Sequence, residues 1–386
     1  MYFNKILLIS HDASRSGAPL YIINFAKWLK NTHGTEVLSL IINGGDLEDE
    51  FHALGKTWLW DSHYTKSSLG ERLLSKMGLM KLNTTYQKRI IKEISNQKPQ
   101  IVFSNTIVSN KVASVLRPHL KACFISLVHE MQFSASVFYP EFISNFYLQN
   151  FAGIIAINNH IKTYLVNDFG YNNKRISVIP PFIKNVPTRI HNIPEFTKRH
   201  TKKDITIGFS GYADWQKGFD LFMPLIYILK NRVINKNINA IWLGDIPELT
   251  LKKAKYELSK LKMNKFCSFP GRVESTDAFY KKIDIFVSLS KEDSYPISCL
   301  EAASFGKPII AFEGAGGVED LILSGAGFLA PFLDLNGLAE KICQLIDDDE
   351  LRQSTGQRAA DIAKNYTINK VAPQIIDFVS TVYTLT

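Results

Sequence analysis

The stretch 284–312, DIFVSLSKEDSYPISCLEAASFGKPIIAF, decides the fold. It opens and closes on short apolar runs rich in β-branched residues, 284–290 and 308–312. Such nearly continuous runs read as strands of a parallel sheet, buried on both faces. The segment between them reads as a crossover helix. Pro296 suits its first position, so the amides of Ile297 and Ser298 point outward as free donors. Asp293 and Glu301 bracket this helix start. A carboxylate is expensive to bury unless something pairs with it. Glu301 therefore faces either water or a ligand that needs a hydrogen-bond acceptor.

The same rhythm extends in both directions. Before the linker the expected strands are 5–10, 36–42, 100–104, 123–128, 153–157 and 176–179; after it they are 205–210, 240–244, 266–269, 284–290 and 308–312. Residues 180–204 hold four prolines and many charges with little periodicity, the pattern of a linker. The reading is α/β: two doubly wound Rossmann-like domains facing across a cleft, at 1–182 and 205–366, joined by a linker at 183–204. A terminal helix over 367–386 is apolar enough to pack on a domain face and to cross back to the first domain. In the first helical pattern Ser16 reads as a cap and Pro19 as a first-turn residue.

At 386 residues, with 46% hydrophobic and 12% aromatic residues, the chain is globular and long enough for two cores. It has no apolar run long enough to span a bilayer. "MYFNKILLIS" (1–10) reads as a first strand rather than a signal peptide. Cys123, Cys267, Cys299 and Cys343 are scattered, without a CxxC pair, which fits a reducing cytoplasm and no structural zinc. The net charge of +9 points to anionic partners, whether phosphorylated small molecules, acidic lipids or nucleic acid.

Ligands of parallel sheets sit outside the carboxyl ends of the strands, so the strand-to-helix junctions carry the candidates. In "SHDASRSGAPL" (10–20), Gly17 permits close approach to an anion or sugar oxygen, or merely makes a tight turn. Arg15 is a phosphate partner or a surface cation. His129 and Glu130 directly follow a strand, a position suited to acid/base work or hydroxyl recognition. Gly211 ends the strand 205–210, and Lys217 before Gly218 offers a compact cation for a phosphate. Gly271 and Arg272 follow another strand and line the site or form a surface turn. Glu301, an acceptor-only group, suits the paired hydroxyls of a ribose, and Asp293 can reach sugar hydroxyls. Gly316 and Gly317 open one more helix and allow close backbone approach. The carboxylates of "DDDE" (347–350) spell a metal motif but fall in a polar turn, so no metal is expected.

Taken in order, Gly211, Lys217-Gly218, Gly271-Arg272, Asp293, Glu301-Ala302, Gly306-Lys307-Pro308 and Gly316-Gly317 resemble the signature of glycosyltransferase family 4. The likeness is strong over 205–325 and looser in the first half, which shares the glycine loop, "SNT" (104–106) and the His-Glu pair. It implies a GT-B fold and a retaining transfer of sugar from a nucleoside diphosphate, UDP or GDP, to an acceptor hydroxyl. No cofactor is implied besides the donor itself. By the resemblance Lys217 neutralises the diphosphate, Glu301 holds the ribose and Asp293 touches the donor sugar. Ile297 and Ser298 give amides to phosphate, His129 lies near the transferred sugar, and Gly17 belongs to a loop near diphosphate and acceptor. Two positions depart from the pattern. Tyr212 stands where an Arg is frequent, leaving Arg15 or Arg272 to substitute, and Asp293 replaces the usual Glu.

The implied acceptor is a saccharide or lipid-linked saccharide of a bacterial surface polysaccharide or lipopolysaccharide. The implied location is the cytoplasm, or the inner face of the plasma membrane. The segment 66–92, with seven Lys/Arg and one Glu among leucines and methionines, would dock on an anionic membrane or form a solvated helix face. The alternatives are a sugar-nucleotide epimerase of the same fold and a basic nucleic-acid-binding protein. The charges are not interleaved with aromatics, so a nucleic-acid partner is not expected.

Overall fold

The computed structural model describes residues 3–61, 83–138, 149–183, 204–273 and 275–385. The linker positions 184–203 and most of the basic stretch, 66–82, lie outside the described residues. The chain divides into two compact units, Met1–Pro181 with Ile368–Thr386, and Phe182–Thr367.

The first unit is built on a parallel sheet of β1 (Lys5–Ser10), β2 (Glu36–Ile41), β3 (Thr57–Leu59), β4 (Ile101–Asn105), β5 (Cys123–Val128), β6 (Gly153–Ala156) and β7 (Ile176–Val178). Their order is β3-β2-β1-β4-β5-β6-β7. Every residue of β4, β5 and β6 is buried, which is why these strands read as unbroken apolar runs instead of alternating ones. The helix Gly17–His33 buries Tyr21, Ile22, Phe25, Ala26 and Leu29, the stripe that its 3.6-residue period lays on one side. The terminal helix Ile368–Tyr383 belongs to this unit and buries Val371, Ile375, Val379 and Val382.

The second unit holds β8 (Asp204–Ser210), β9 (Asn237–Leu243), β10 (Cys267–Gly271), β11 (Ile285–Val287), β12 (Ile309–Phe312) and β13 (Gly327–Ala330). All are parallel, in the order β10-β9-β8-β11-β12-β13. Counted from its own first strand this is the 3-2-1-4-5-6 order of a doubly wound sheet. Its core centres on Phe209, Phe219, Phe222 and Trp242, whose rings meet edge to face or stacked between 4.8 and 6.1 Å. Each such pair adds about 1 kcal/mol to what area burial supplies.

The structure adds β3 and β13, which the sequence reading did not include. Both are edge strands of three and four residues, too short to show a period. Among the described residues no helix is long and apolar enough to cross a membrane.

Candidate functional site

In a doubly wound sheet the chain leaves the first strand in one direction and its neighbour in the other, and the loops part at that point. In the second unit this switch lies between β8 and β11. The loop after β8 carries Gly211 and Lys217, and the loop after β11 carries Asp293. The two loops meet there: the Lys217 ammonium donates to Asp293 Oδ2 in an ion pair. The Lys217 side chain is 28% exposed and that of Asp293 10%. Burial works against the ammonium, but the Asp293 carboxylate outweighs it and raises the Lys217 pKa above its usual value. Lys217 is therefore a fixed cation.

Backbone bonds hold this geometry. Lys217 N donates to Asp214 Oδ1 at 2.8 Å, and Lys291 N donates to Gln216 O at 2.9 Å, tying the two loops together. Gly211, at φ 148°, lies against the Lys217 stem; a Cβ there would stand 3.0 Å from its Cγ. Asp293 N donates to Ala315 O at 2.7 Å, and Asp293 pairs with Gly316 in an isolated bridge. A Cβ on Gly317 would fall 2.5 Å from Ser294 O. The close approach that Gly316 and Gly317 were expected to permit is thus made by the protein's own 293–295 segment.

The helix Ile297–Ser304 starts directly after this segment, with Pro296 at its cap position rather than at its first helical one. The first amide with a helical partner is Cys299 N, which donates to Pro296 O at 2.9 Å. The amides of Ile297 and Ser298 have no protein partner among the described residues. A helix start of this kind favours an anion. Cys299, two residues on, lies within electrostatic reach of both Lys217 and Asp293. Glu301 is half-buried, and its Oε2 accepts from the Tyr280 hydroxyl at 2.8 Å. The carboxylate is neither a freely solvated helix face nor an isolated group. Tyr280 was missed in the sequence because it lies 21 residues away in a helix with no motif of its own.

Arg272 is half-exposed, with Nη1 3.9 Å from Asp245 Oδ2. Tyr212 is 55% exposed on the loop between Gly211 and Lys217.

In the first unit the corresponding switch lies between β1 and β4. The loop after β1 is an Asx turn: Asp12 Oδ1 accepts from Ser14 N at 3.1 Å and Ser14 Oγ at 3.0 Å. Ser16 occupies the cap position of the helix Gly17–His33, but its side chain accepts no bond from the helix's first amides; the Ser14 hydrogen goes to Asp12, so the Ser16 hydroxyl donates to Ser14 Oγ at 2.9 Å. Its capping role is corrected accordingly, because the Asp12 turn competes for that hydroxyl. A Cβ on Gly17 would meet nothing within 4 Å, so the protein leaves open space there. Arg15 is half-exposed, 3.7 Å from Glu50.

Asn105 ends β4 and bridges the switch. Its Nδ2 donates to Ala18 O at 2.9 Å, and its Oδ1 lies 2.8 Å from His129 Nε2. Desolvation, with His11 nearby, pushes the His129 pKa down to about 3. Glu130 turns away from that point. Its carboxylate accepts from Ile107 N at 3.2 Å and from His129 N at 3.1 Å, stapling two loops. Desolvation pushes its pKa up to about 7 against the pull of those amides.

Comparisons with known proteins agree with both halves of the chain. The family model "Glycosyl transferases group 1" matches residues 192–361, and "Glycosyltransferase Family 4" matches 15–184. The N,N'-diacetylbacillosaminyl-diphospho-undecaprenol alpha-1,3-N-acetylgalactosaminyltransferase of Campylobacter jejuni is 34% identical over 93 residues, 24% of this chain and 25% of that one. The chain spans from a quarter to just over half of the length of the first curated relatives it matches. Anabaena HepE, solved with UDP, superposes with a TM-score of 0.77 at 17% identity, covering 98% of this chain and 100% of its own. The lipopolysaccharide outer core galactosyltransferase WaaB, in its apo form, gives 0.73 at 14% identity, with 98% and 99% covered. With the two family models spanning most of the chain and each sheet doubly wound, this protein belongs to glycosyltransferase family 4 and has the GT-B type of fold.

Proposed function

We propose that the protein is a retaining glycosyltransferase, moving a sugar from a nucleoside diphosphate to an acceptor hydroxyl. The observation that carries this reading is the Lys217–Asp293 ion pair at the switch point, beside a helix whose first amides lack partners. The difficulty of such a reaction is the negative charge growing on the departing diphosphate. Lys217 and the amides of Ile297 and Ser298 are fixed donors for that charge, which need not reorganise as it develops. Asp293 keeps the ammonium in place and accepts from hydroxyls of the donor sugar. Glu301, anchored by Tyr280, accepts from the ribose. His129 receives a sugar hydroxyl, and Gly17 leaves room for one. The leaving phosphate oxygen takes the acceptor's proton on the same face, so no separate base and no metal are required. The relatives' names bring a surface saccharide or lipid-linked saccharide as acceptor into this proposal.

The test is transfer from UDP- and GDP-sugars, with the product's anomeric configuration read by NMR. Lys217→Ala is expected to cut turnover roughly 100- to 1000-fold, the worth of a charge-stabilising donor. Glu301→Gln is expected to raise the donor KM. Circular dichroism checks that each variant is folded, because Lys217→Ala strands the Asp293 carboxylate. Wild-type turnover in folded Lys217→Ala, or an inverted product, would remove the reading. Donor conversion without acceptor would replace transfer by epimerisation.

A further inference from the structure

Asn105 lies in "SNT", a motif to which the proposed chemistry assigns no part. It is fully buried, and it joins three elements: the start of the helix Gly17–His33, the end of β4 and the loop after β5. The directions of its two bonds follow from elementary chemistry. Ala18 O is a carbonyl and can only accept, so the end of the amide facing it is the NH2. That places the amide oxygen against His129 Nε2. An oxygen can only accept as well, so this ring nitrogen carries a hydrogen. We infer that Asn105 is the positioning residue of His129, holding its imidazole as the Nε2–H tautomer and leaving Nδ1 as a lone-pair acceptor.

Other contacts lock the same arrangement. The Tyr21 ring meets the imidazole edge to face, with centroids 5.4 Å apart. Asn105 O accepts from Ser109 Oγ at 2.9 Å. Thr106, the next residue, sits at φ 82°, a conformation that costs a threonine on the order of 1–3 kcal/mol and persists only where its surroundings impose it. Among the described residues no group near the ring holds it protonated. His11, from the loop after β1, opposes a second positive charge and is itself held neutral by burial against the weaker pull of Asp12. Burial keeps Tyr21 protonated, and the Glu130 carboxylate is bound to backbone amides. His129 Nδ1 has no partner among the described residues. A neutral acceptor suits a ligand that donates, such as a sugar hydroxyl, and repels none of the charge a donor diphosphate carries. The hydroxyl as ligand rests on the proposed function; the tautomer does not.

The experiment is long-range 1H–15N correlation on histidine-labelled protein without ligand, from pH 5 to 8, for wild type and Asn105→Asp. In the wild type His129 is expected to show a pyrrole-type Nε2 and a pyridine-type Nδ1, unchanged across the range. A carboxylate in place of the amide favours the imidazolium, so Asn105→Asp is expected to raise the His129 midpoint from about 3 by about 2–3 pH units, into the lower part of that range. Transfer by that variant is expected to fall at low pH and recover as pH rises, while the wild type stays flat. An Nδ1–H tautomer, a wild-type midpoint near 6.5 or an unshifted midpoint in Asn105→Asp would each overturn the assignment. Should Asn105→Asp not fold, the wild-type spectrum decides alone. The expected tautomer in a protein that transfers from no nucleoside-diphosphate sugar would sink the proposed function and leave the assignment standing.

Discussion

Two half-buried carboxyls in this protein do opposite work. Glu301 accepts from Tyr280, and Tyr280→Phe is expected to release it, raising the donor KM and costing about 1 kcal/mol of stability, the usual worth of such a bond. Titration of nucleotide binding by calorimetry checks the first effect and chemical unfolding the second. Glu130, in contrast, is destabilising when ionised. Its pKa rises from an ordinary 4.5 to about 7 in the folded protein. Between those values the native state holds a proton that the unfolded state has released, so stability falls as pH rises from 4.5 to 7 and is level above that. The full loss is on the order of 3 kcal/mol. His129 acts in the other direction, since its pKa of about 3 lies below the ordinary 6.5 and stability rises with pH between them. The two slopes oppose each other between pH 4.5 and 6.5. Glu130→Gln isolates the first: its melting temperature relative to wild type is expected to climb from pH 4.5 to 7. A difference that stays constant across that window would place Glu130 outside a desolvated site.

The loop from β8 into the helix Phe219–Arg232 places Lys217, and one glycine makes its path possible. Gly218 has φ 71°, and a Cβ there would stand 2.0 Å from the backbone oxygen of Leu289. Gly34, which closes the helix Gly17–His33, has φ 67° but nothing within 4 Å. The two share the backbone strain and differ only in the clash. Gly34→Ala is expected to cost about 1–2 kcal/mol, the left-handed penalty alone. Gly218→Ala is expected to cost more, since Leu289 must move and carries the loop of Asp293 with it. Unfolding in urea measures both, and equal costs would show that the Leu289 contact yields freely. Donor affinity is expected to drop only for Gly218→Ala.

The two units have separate cores and the same strand logic, and each places a polar bridge at its own switch point: Lys217–Asp293 in one, Asn105 to Ala18 and His129 in the other. On the proposed function, a nucleoside diphosphate held by the first of these would stabilise the second unit. At 100 times its Kd it adds about 2.7 kcal/mol. Hydrogen exchange with UDP or GDP is expected to slow in 204–330, most strongly at Ile297 and Ser298, whose amides gain an acceptor. Slowing confined to 1–181 would contradict that placement.

Much of this was legible in the chain. Runs such as 123–128 and 308–312 announce doubly covered parallel strands because burial on both faces leaves no polar position to alternate. Proline and glycine mark the junctions because backbone geometry is local. The donor-site candidates Lys217, for the diphosphate, Asp293, for the sugar, and Glu301, for the ribose, stood out for the same reason, being tied to the ends of those strands. Pairing is not local. That Lys217 rests on Asp293, that Tyr280 anchors Glu301, that Glu130 turns to backbone amides and that Asn105 sets the proton on His129 depend on residues 21 to 87 positions apart or on which way a side chain turns. Hydrogen-bond direction and desolvation arise only once the sheet order has brought those residues together, and so the tertiary structure alone decided them.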